Sequence, residues 1–183
     1  MRVFWVVSIM IAFATTQAHS SEEVVRVRHL EIEYKTAFDP FTQRLEKLLG
    51  RYSEGVGKDL ESDPKRAEAR LKSMEGAQGL MIFAVYEHGK LLNIYGMHRK
   101  AKVYVVGNPL IAATMTRHNL SAALYAPLRV LVREADSGAT RVEYDLPSSL
   151  FGQFHDREID AVAHSLDSKL RTVLESAAVS AAP

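Results

Sequence analysis

The sequence predicts a single α+β domain with helices on one face of a mostly antiparallel sheet. Three observations lead there. Residues 24–34 alternate as a strand ahead of the first helical stretch, a group of short apolar runs lies between residues 80 and 146, and one long amphipathic stretch follows Asp156. Strands grouped together, with helices before and after them, mark an α+β layout rather than alternating β and α units. With 183 residues, 47% hydrophobic and 25% charged, the chain has the composition of an ordinary globular protein and is long enough for one real core.

In residues 24–34 the apolar positions are Val25 and Val27, then Leu30, Ile32 and Tyr34, so a first strand with a bulge near His29 is expected. Asp39-Pro40 offers an N-cap and a proline for the first helical position. Phe41, Leu45, Leu48 and Leu49 then share one helical face, and Gly50 stands where a C′ glycine would end the helix. Asp63-Pro64 repeats the start signal for a charged surface helix with a thin stripe of Ala67, Leu71 and Met74, ended by Gly76. Residues 80–86 are nearly all apolar, which fits a strand buried on both faces. Residues 87–90 read as a turn and 91–95 as a returning strand. Residues 102–106 make another core strand, ended by Gly107, and Asn108-Pro109 opens a short helix to about Arg117.

The next two strands can be placed in register. Leu128, Val130 and Val132 alternate in one, and Val142, Tyr144 and Leu146 in the other. A loop of Asp136-Ser137-Gly138, with Gly138 left-handed, brings the apolar faces together by setting Val130 opposite Tyr144 and Val132 opposite Val142. The same register sets Arg129 opposite Asp145 as a cross-strand ion pair, and Arg133 opposite Arg141, which requires solvent or other partners. Asp156 caps the last helix, whose stripe is Ile159, Val162, Ala163, Leu166, Leu170, Val173 and Leu174. The single domain spans residues 24–176, and residues 177–183 are small, uncharged and expected to fray.

Arg2, the apolar run 3–14 and the small residues Thr16 and Ala18 have the layout of a secretory signal over residues 1–18, shorter than the roughly twenty apolar residues of a spanning helix. A periplasmic or secreted protein with no stable membrane anchor after cleavage is expected. Removing residues 1–18 takes Arg2 from the 23 Lys+Arg and nothing from the 22 Asp+Glu, leaving 22 of each. This balance argues against nucleic acid as a partner. The absence of cysteine excludes disulfides, thiol catalysis, lipoprotein acylation and c-type haem attachment.

Several short motifs occur in a telling order: Gly79 to Phe83, His88-Gly89, Gly107-Asn108-Pro109, Met115 to His118, Tyr125 to Arg129, Tyr144 to Ser149, and Phe151 to Phe154. Together they resemble the domain-of-unknown-function 302 family, in a longer exported subgroup, over roughly residues 38–176. The resemblance implies a fold like that of the TATA-binding protein, strand-helix-four strands-helix. It implies no reaction.

Among single residues, the start of the helix at Asn108 exposes the N–H groups of Leu110 and Ile111, which suit a carboxylate or phosphate; Asn108 is equally an ordinary N-cap. Met115 and His118 lie on one helical face and are the ligand types of a haem iron, with His88, His98 or Tyr125 as a further ligand; the plain alternative is a core methionine and a C-terminal histidine. Arg129 and Asp145 suit substrate binding or a structural bridge. The basic run 98–102 suits a lipid headgroup or a solvated turn. No Gly-x-Ser-x-Gly, phosphate loop or zinc-helix spacing occurs, so no metal is assigned and the cofactor stays unknown. The leading expectation is non-catalytic binding of a small, partly apolar acidic ligand, haem and lipid among them, between the sheet and the last helix. The alternatives are an enzyme using His88 or His118 with Asp145, and a homodimer joined through the uncovered sheet face.

Overall fold

A computed structural model describes residues 19–179; the expected signal segment lies outside the described residues, as do residues 180–183. The elements run β1 (His29–Tyr34), α1 (Phe38–Leu48), β2 (Gly50–Arg51), α2 (Gly57–Ser62), α3 (Pro64–Ser73), β3 (Met81–Tyr86), α4 (His88–Leu91), β4 (Ala101–Gly107), α5 (Pro109–Thr116), β5 (Leu128–Glu134), β6 (Thr140–Asp145), α6 (Pro147–Phe151) and α7 (Arg157–Ala178). The strands form one six-stranded sheet in the order β1-β6-β5-β4-β3-β2. Only the two-residue β2 runs parallel to its neighbour, β3.

The strand alternation sorts the side chains into a core face and an outer face. Leu30, Ile32, Tyr104, Val106, Val130, Val132, Val142 and Tyr144 pack with α1 and α7 into one cluster that includes Phe41, Leu45, Ile159, Leu166 and Leu170. Each fully buried aliphatic or aromatic side chain there contributes roughly 1.5–3 kcal/mol. Tyr104 is buried at the sheet centre and donates its phenol hydrogen to Glu46 Oε1 at 2.8 Å, which also accepts from Lys102 Nζ at 3.0 Å. This bond fixes α1 against β4, and burial, with the Glu46 hydrogen bond, pushes the Tyr104 phenol far above its ordinary range. The outer face is half-buried and apolar at Val103, Val105 and Leu131. Toward β1 and β6 it becomes a ladder of charges.

The β5–β6 hairpin pairs as the alternation requires, Val130 with Tyr144 and Val132 with Val142, and Gly138 has φ 79°. Arg133 does face Arg141. Carboxylates relieve the conflict: Arg133 Nε donates to Glu143 Oε1 at 2.6 Å, and Arg141 reaches Glu31 at 3.2 Å and Glu33 at 2.7 Å. Asp63, Asn108 and Asp156 cap α3, α5 and α7 through their side chains, as expected.

Other expectations give way to packing. The first strand begins at His29, so the phase change there is the start of pairing and not a bulge; the bulge lies in β3, between Ile82 and Ala84. Helix α1 begins one residue before Asp39, because Phe38 is drawn into the core, and Asp39 instead accepts from Lys100 Nζ at 2.7 Å. Gly50 is not a helix terminus but the first residue of β2. Residues 91–95 form helical turns rather than a returning strand, with Ile94 and Tyr95 exposed. Gly89 sets that turn against the start of β4, where a Cβ would come within 2.1 Å of Arg99 O. Strand β3 is fully buried only at Met81 and Ile82. Helix α7 continues past the expected frayed point: Ala177 is buried, Arg44 Nε donates to its carbonyl at 2.7 Å, and Thr36 donates to that of Ala178. No helix of the described residues is long and apolar enough to cross a membrane.

Candidate binding cavity

Where β4 ends at Gly107 and turns into α5, the chain leaves a cavity of about 260 Å³. Ile111 and Met115 of α5 form its roof, Leu128 its β5 side, Phe151 and Leu166 its α6 and α7 sides. Tyr52 and Phe83 form a further wall, stacked with ring centroids 4.5 Å apart. Tyr52 is held there because its N–H donates to Ile82 O at 3.0 Å, extending the β2–β3 pairing. Gly107 lies so close to Pro127 that a Cβ would come within 3.1 Å of the proline Cβ, which brings the start of β5 under the cavity. No lining residue carries a carboxylate, imidazole, amine or guanidinium.

Asn108 is buried in the cavity wall, and both ends of its amide are hydrogen-bonded. Oδ1 accepts from Leu110 N at 2.8 Å, and Nδ2 donates to Glu75 Oε1 and to Gly79 O, both at 2.7 Å. The capping reading of Asn108 therefore holds, and Glu75 already brings a negative charge to the start of α5. Leu110 turns away from the cavity to pack beside Val56, Ala67 and Leu71. Ile111 lines both the cavity and a wider, shallower groove bordered by Lys72, Glu75, Glu158 and Lys169.

Met115 is buried, as a core methionine and cavity wall. His118 is elsewhere: its Nε2 accepts from Arg117 Nε at 3.2 Å, and its Nδ1 lies 3.8 Å from Asp156 Oδ2. The two do not converge on one ligand position. His88 has no hydrogen bond or ion pair among the described residues and meets only the edge of Tyr86, ring centroids 6.4 Å apart. Tyr125 donates to Gln153 Oε1 at 3.1 Å and borders a second pocket with Arg129 and Asp145, on which Pro127 and Leu128 also open.

Asp145 pairs with neither Arg129 nor the two histidines expected to join it. It accepts from His29 Nδ1 at 2.9 Å, across the β1–β6 ladder that sets His29 opposite Asp145. The expected cross-strand ion pair and the expected catalytic dyad are thus both absent among the described residues. His29 was not singled out by the sequence, because its partner comes from a strand far along the chain. Its Nε2 also lies 3.6 Å from Glu143. The hydrogen bond to Asp145 is the main cause holding the His29 pKa above its ordinary value. A raised imidazole pKa adds stability that is fully present below the unfolded value of about 6.5 and is lost as pH rises through the folded one. NMR titration should therefore give His29 a higher midpoint than a free histidine, and Asp145→Asn should bring it down. An unchanged midpoint in that variant would remove Asp145 as the cause.

No group of three or more His, Asp or Glu side chains among the described residues is placed to hold a metal ion. The family model described as "Domain of unknown function DUF302" matches residues 56–177. The chain belongs to this family. The DUF302 span contains every residue that lines the cavity except Tyr52. Among solved structures, the chain is similar to the uncharacterized conserved protein DUF302 from Bacillus stearothermophilus, whose crystal structure matches with TM-score 0.57 and 18% identity. The match covers 81% of this chain and 96% of that one, and shows a shared DUF302 fold. No curated protein matches.

Proposed function

We propose that the protein binds a small, largely apolar ligand, without catalysing a reaction on it, in the cavity beneath α5. The observation that carries this reading is the lining itself: mostly aliphatic and aromatic side chains around about 260 Å³, with Asn108 the one amide and no carboxylate, imidazole, amine or guanidinium among them. Apolar surface removed from water supplies affinity at roughly 25 cal/mol per Å², and such a lining offers little else. The volume lies just below the roughly 300–1,000 Å³ of sites for drug-sized molecules, which favours one ring or a short chain over haem. With Glu75 at the start of α5, an acidic group on the ligand would meet repulsion there, so the apolar part is what the cavity selects.

Ala112 lines the cavity from α5 and is half-buried, so a larger residue at that position fills the space. Titration with toluene, followed by the methyl NMR signals of Ile111, Met115 and Leu166, should show saturable shifts that vanish in Ala112→Phe. Shifts that persist in that variant, or no shifts in the natural protein, would sink the proposal.

A further inference from the structure

We propose a second binding site, for a small apolar α-amino acid, in the pocket between Leu124 and Leu150 with Arg129 and Asp145 at its rim. This does not rest on the reading of the cavity beneath α5. The pocket measures about 180 Å³ and its floor is apolar, formed by Leu124, Tyr125, Pro127, Leu128 and Leu150. Leu124 is 80% exposed at its edge, an apolar surface that a ligand would cover.

The charges at the rim have an unusual state. The β5–β6 pairing ends at Val130 and Tyr144, and the next residues outward, Arg129 and Asp145, both line this pocket. They nevertheless form no ion pair, because Asp145 Oδ1 is taken by His29 Nδ1 at 2.9 Å. The Arg129 guanidinium makes no hydrogen bond or ion pair with any described residue. One cation and one carboxylate therefore border the same apolar pocket, neither neutralising the other.

A ligand that answers both must carry a carboxylate and an ammonium close together. The planar guanidinium receives a carboxylate through two parallel N–H bonds. Asp145 keeps Oδ2 and spare lone pairs for an ammonium. The substituent on the same carbon then enters the pocket, whose volume admits a side chain of the size of leucine or methionine and little more. A simple carboxylic acid would bring its charge against Asp145, and a simple amine would bring its charge against Arg129. The Tyr125 hydroxyl, committed to Gln153, adds no further demand.

The test is calorimetric titration of the purified protein with L-leucine, 4-methylpentanoate and leucinamide, repeated on variants. Leucine should bind saturably, and each analogue, lacking one charge, should bind roughly tenfold or more weakly. Arg129→Gln and Asp145→Asn should each weaken leucine by a similar factor. Ala112→Phe, which fills the cavity beneath α5, should leave leucine binding unchanged. Because Arg129 has no partner to lose, Arg129→Gln should keep the natural unfolding midpoint, so a loss of binding there reads the contact and not the fold. The proposal is overturned by absent saturable binding of leucine and methionine, by analogues that bind as tightly as leucine, or by binding unchanged in Arg129→Gln. Binding lost in Ala112→Phe but kept in Arg129→Gln would place the ligand in the other cavity and equally overturn it.

Discussion

Gly76→Ala should cost about 3 kcal/mol or more, at the upper end of what overpacking usually does. For a chain of this size that is a fall of roughly 6–12 °C in unfolding midpoint. A Cβ at Gly76 would come within 2.1 Å of Gly50 N and 2.5 Å of Leu48 O, and a Cβ at Gly50 within 1.8 Å of Met74 O. All of these are backbone atoms, so no side chain can swing aside. The two glycines also share an acceptor: Gly50 N and Gly76 N both donate to Leu80 O, at 3.0 and 3.1 Å. Forcing them apart breaks β2 from β3, and Tyr52, which follows β2, loses its seat on Phe83. The variant should therefore lose the toluene-induced shifts as well as stability. A natural midpoint in Gly76→Ala would mean that the two segments separate freely, and the Tyr52 wall of the cavity would lose its support.

This pair of glycines also marks where the sequence stops being readable. In the chain, Gly50 and Gly76 each follow a helical stretch, and the local rule for a glycine in that position is a left-handed helix end. Their actual role is mutual and non-local, a contact between two backbones that meet only once β2 lies beside β3. The features that were legible are the ones whose partners are near in sequence or periodic. The caps at Asp63, Asn108 and Asp156 bond amides within three residues, and the β5–β6 register follows from alternation and a three-residue loop. The cavity was only half legible. Asn108, Ile111 and Met115 sit on the α5 side that the proline-and-cap signal announces. Tyr52, Phe83, Phe151 and Leu166 arrive from four other segments, and nothing local to any of them signals a shared wall.

Charge followed the same division. A short-range rule sets Arg129 opposite Asp145, one step beyond the Val130–Tyr144 pair at which the β5–β6 ladder ends. The pair still fails to form, because β1 adds itself beside β6 and delivers His29 to Asp145 and Glu31 and Glu33 to Arg141. A cross-strand argument made from a hairpin alone counts one neighbour for a strand that has two. At the exposed edge strand this alternation of His29, Glu31 and Glu33 also discourages pairing with another chain.

Phe151→Ala should be the costliest substitution around the cavity, about 3–5 kcal/mol. Phe151 is fully buried and presents one face to the cavity, with Tyr125 meeting its ring edge-on at 6.4 Å. Alanine there removes the ring and merges its volume with space that is already open, so neighbours have little reason to collapse into it. Part of the loss should then be recoverable by a ligand. Toluene at ten times its dissociation constant should restore about 1.4 kcal/mol, since binding to the folded state alone adds RT ln(1 + [L]/Kd). Phe41→Ala supplies the contrast. Phe41 is as deeply buried and stacks on Tyr34 at 5.4 Å, but it lies outside the cavity lining. It should lose a similar amount of stability and regain far less from toluene. Equal rescue of both variants would show that toluene enters wherever a phenylalanine is removed, and the cavity beneath α5 would have no claim to be a site.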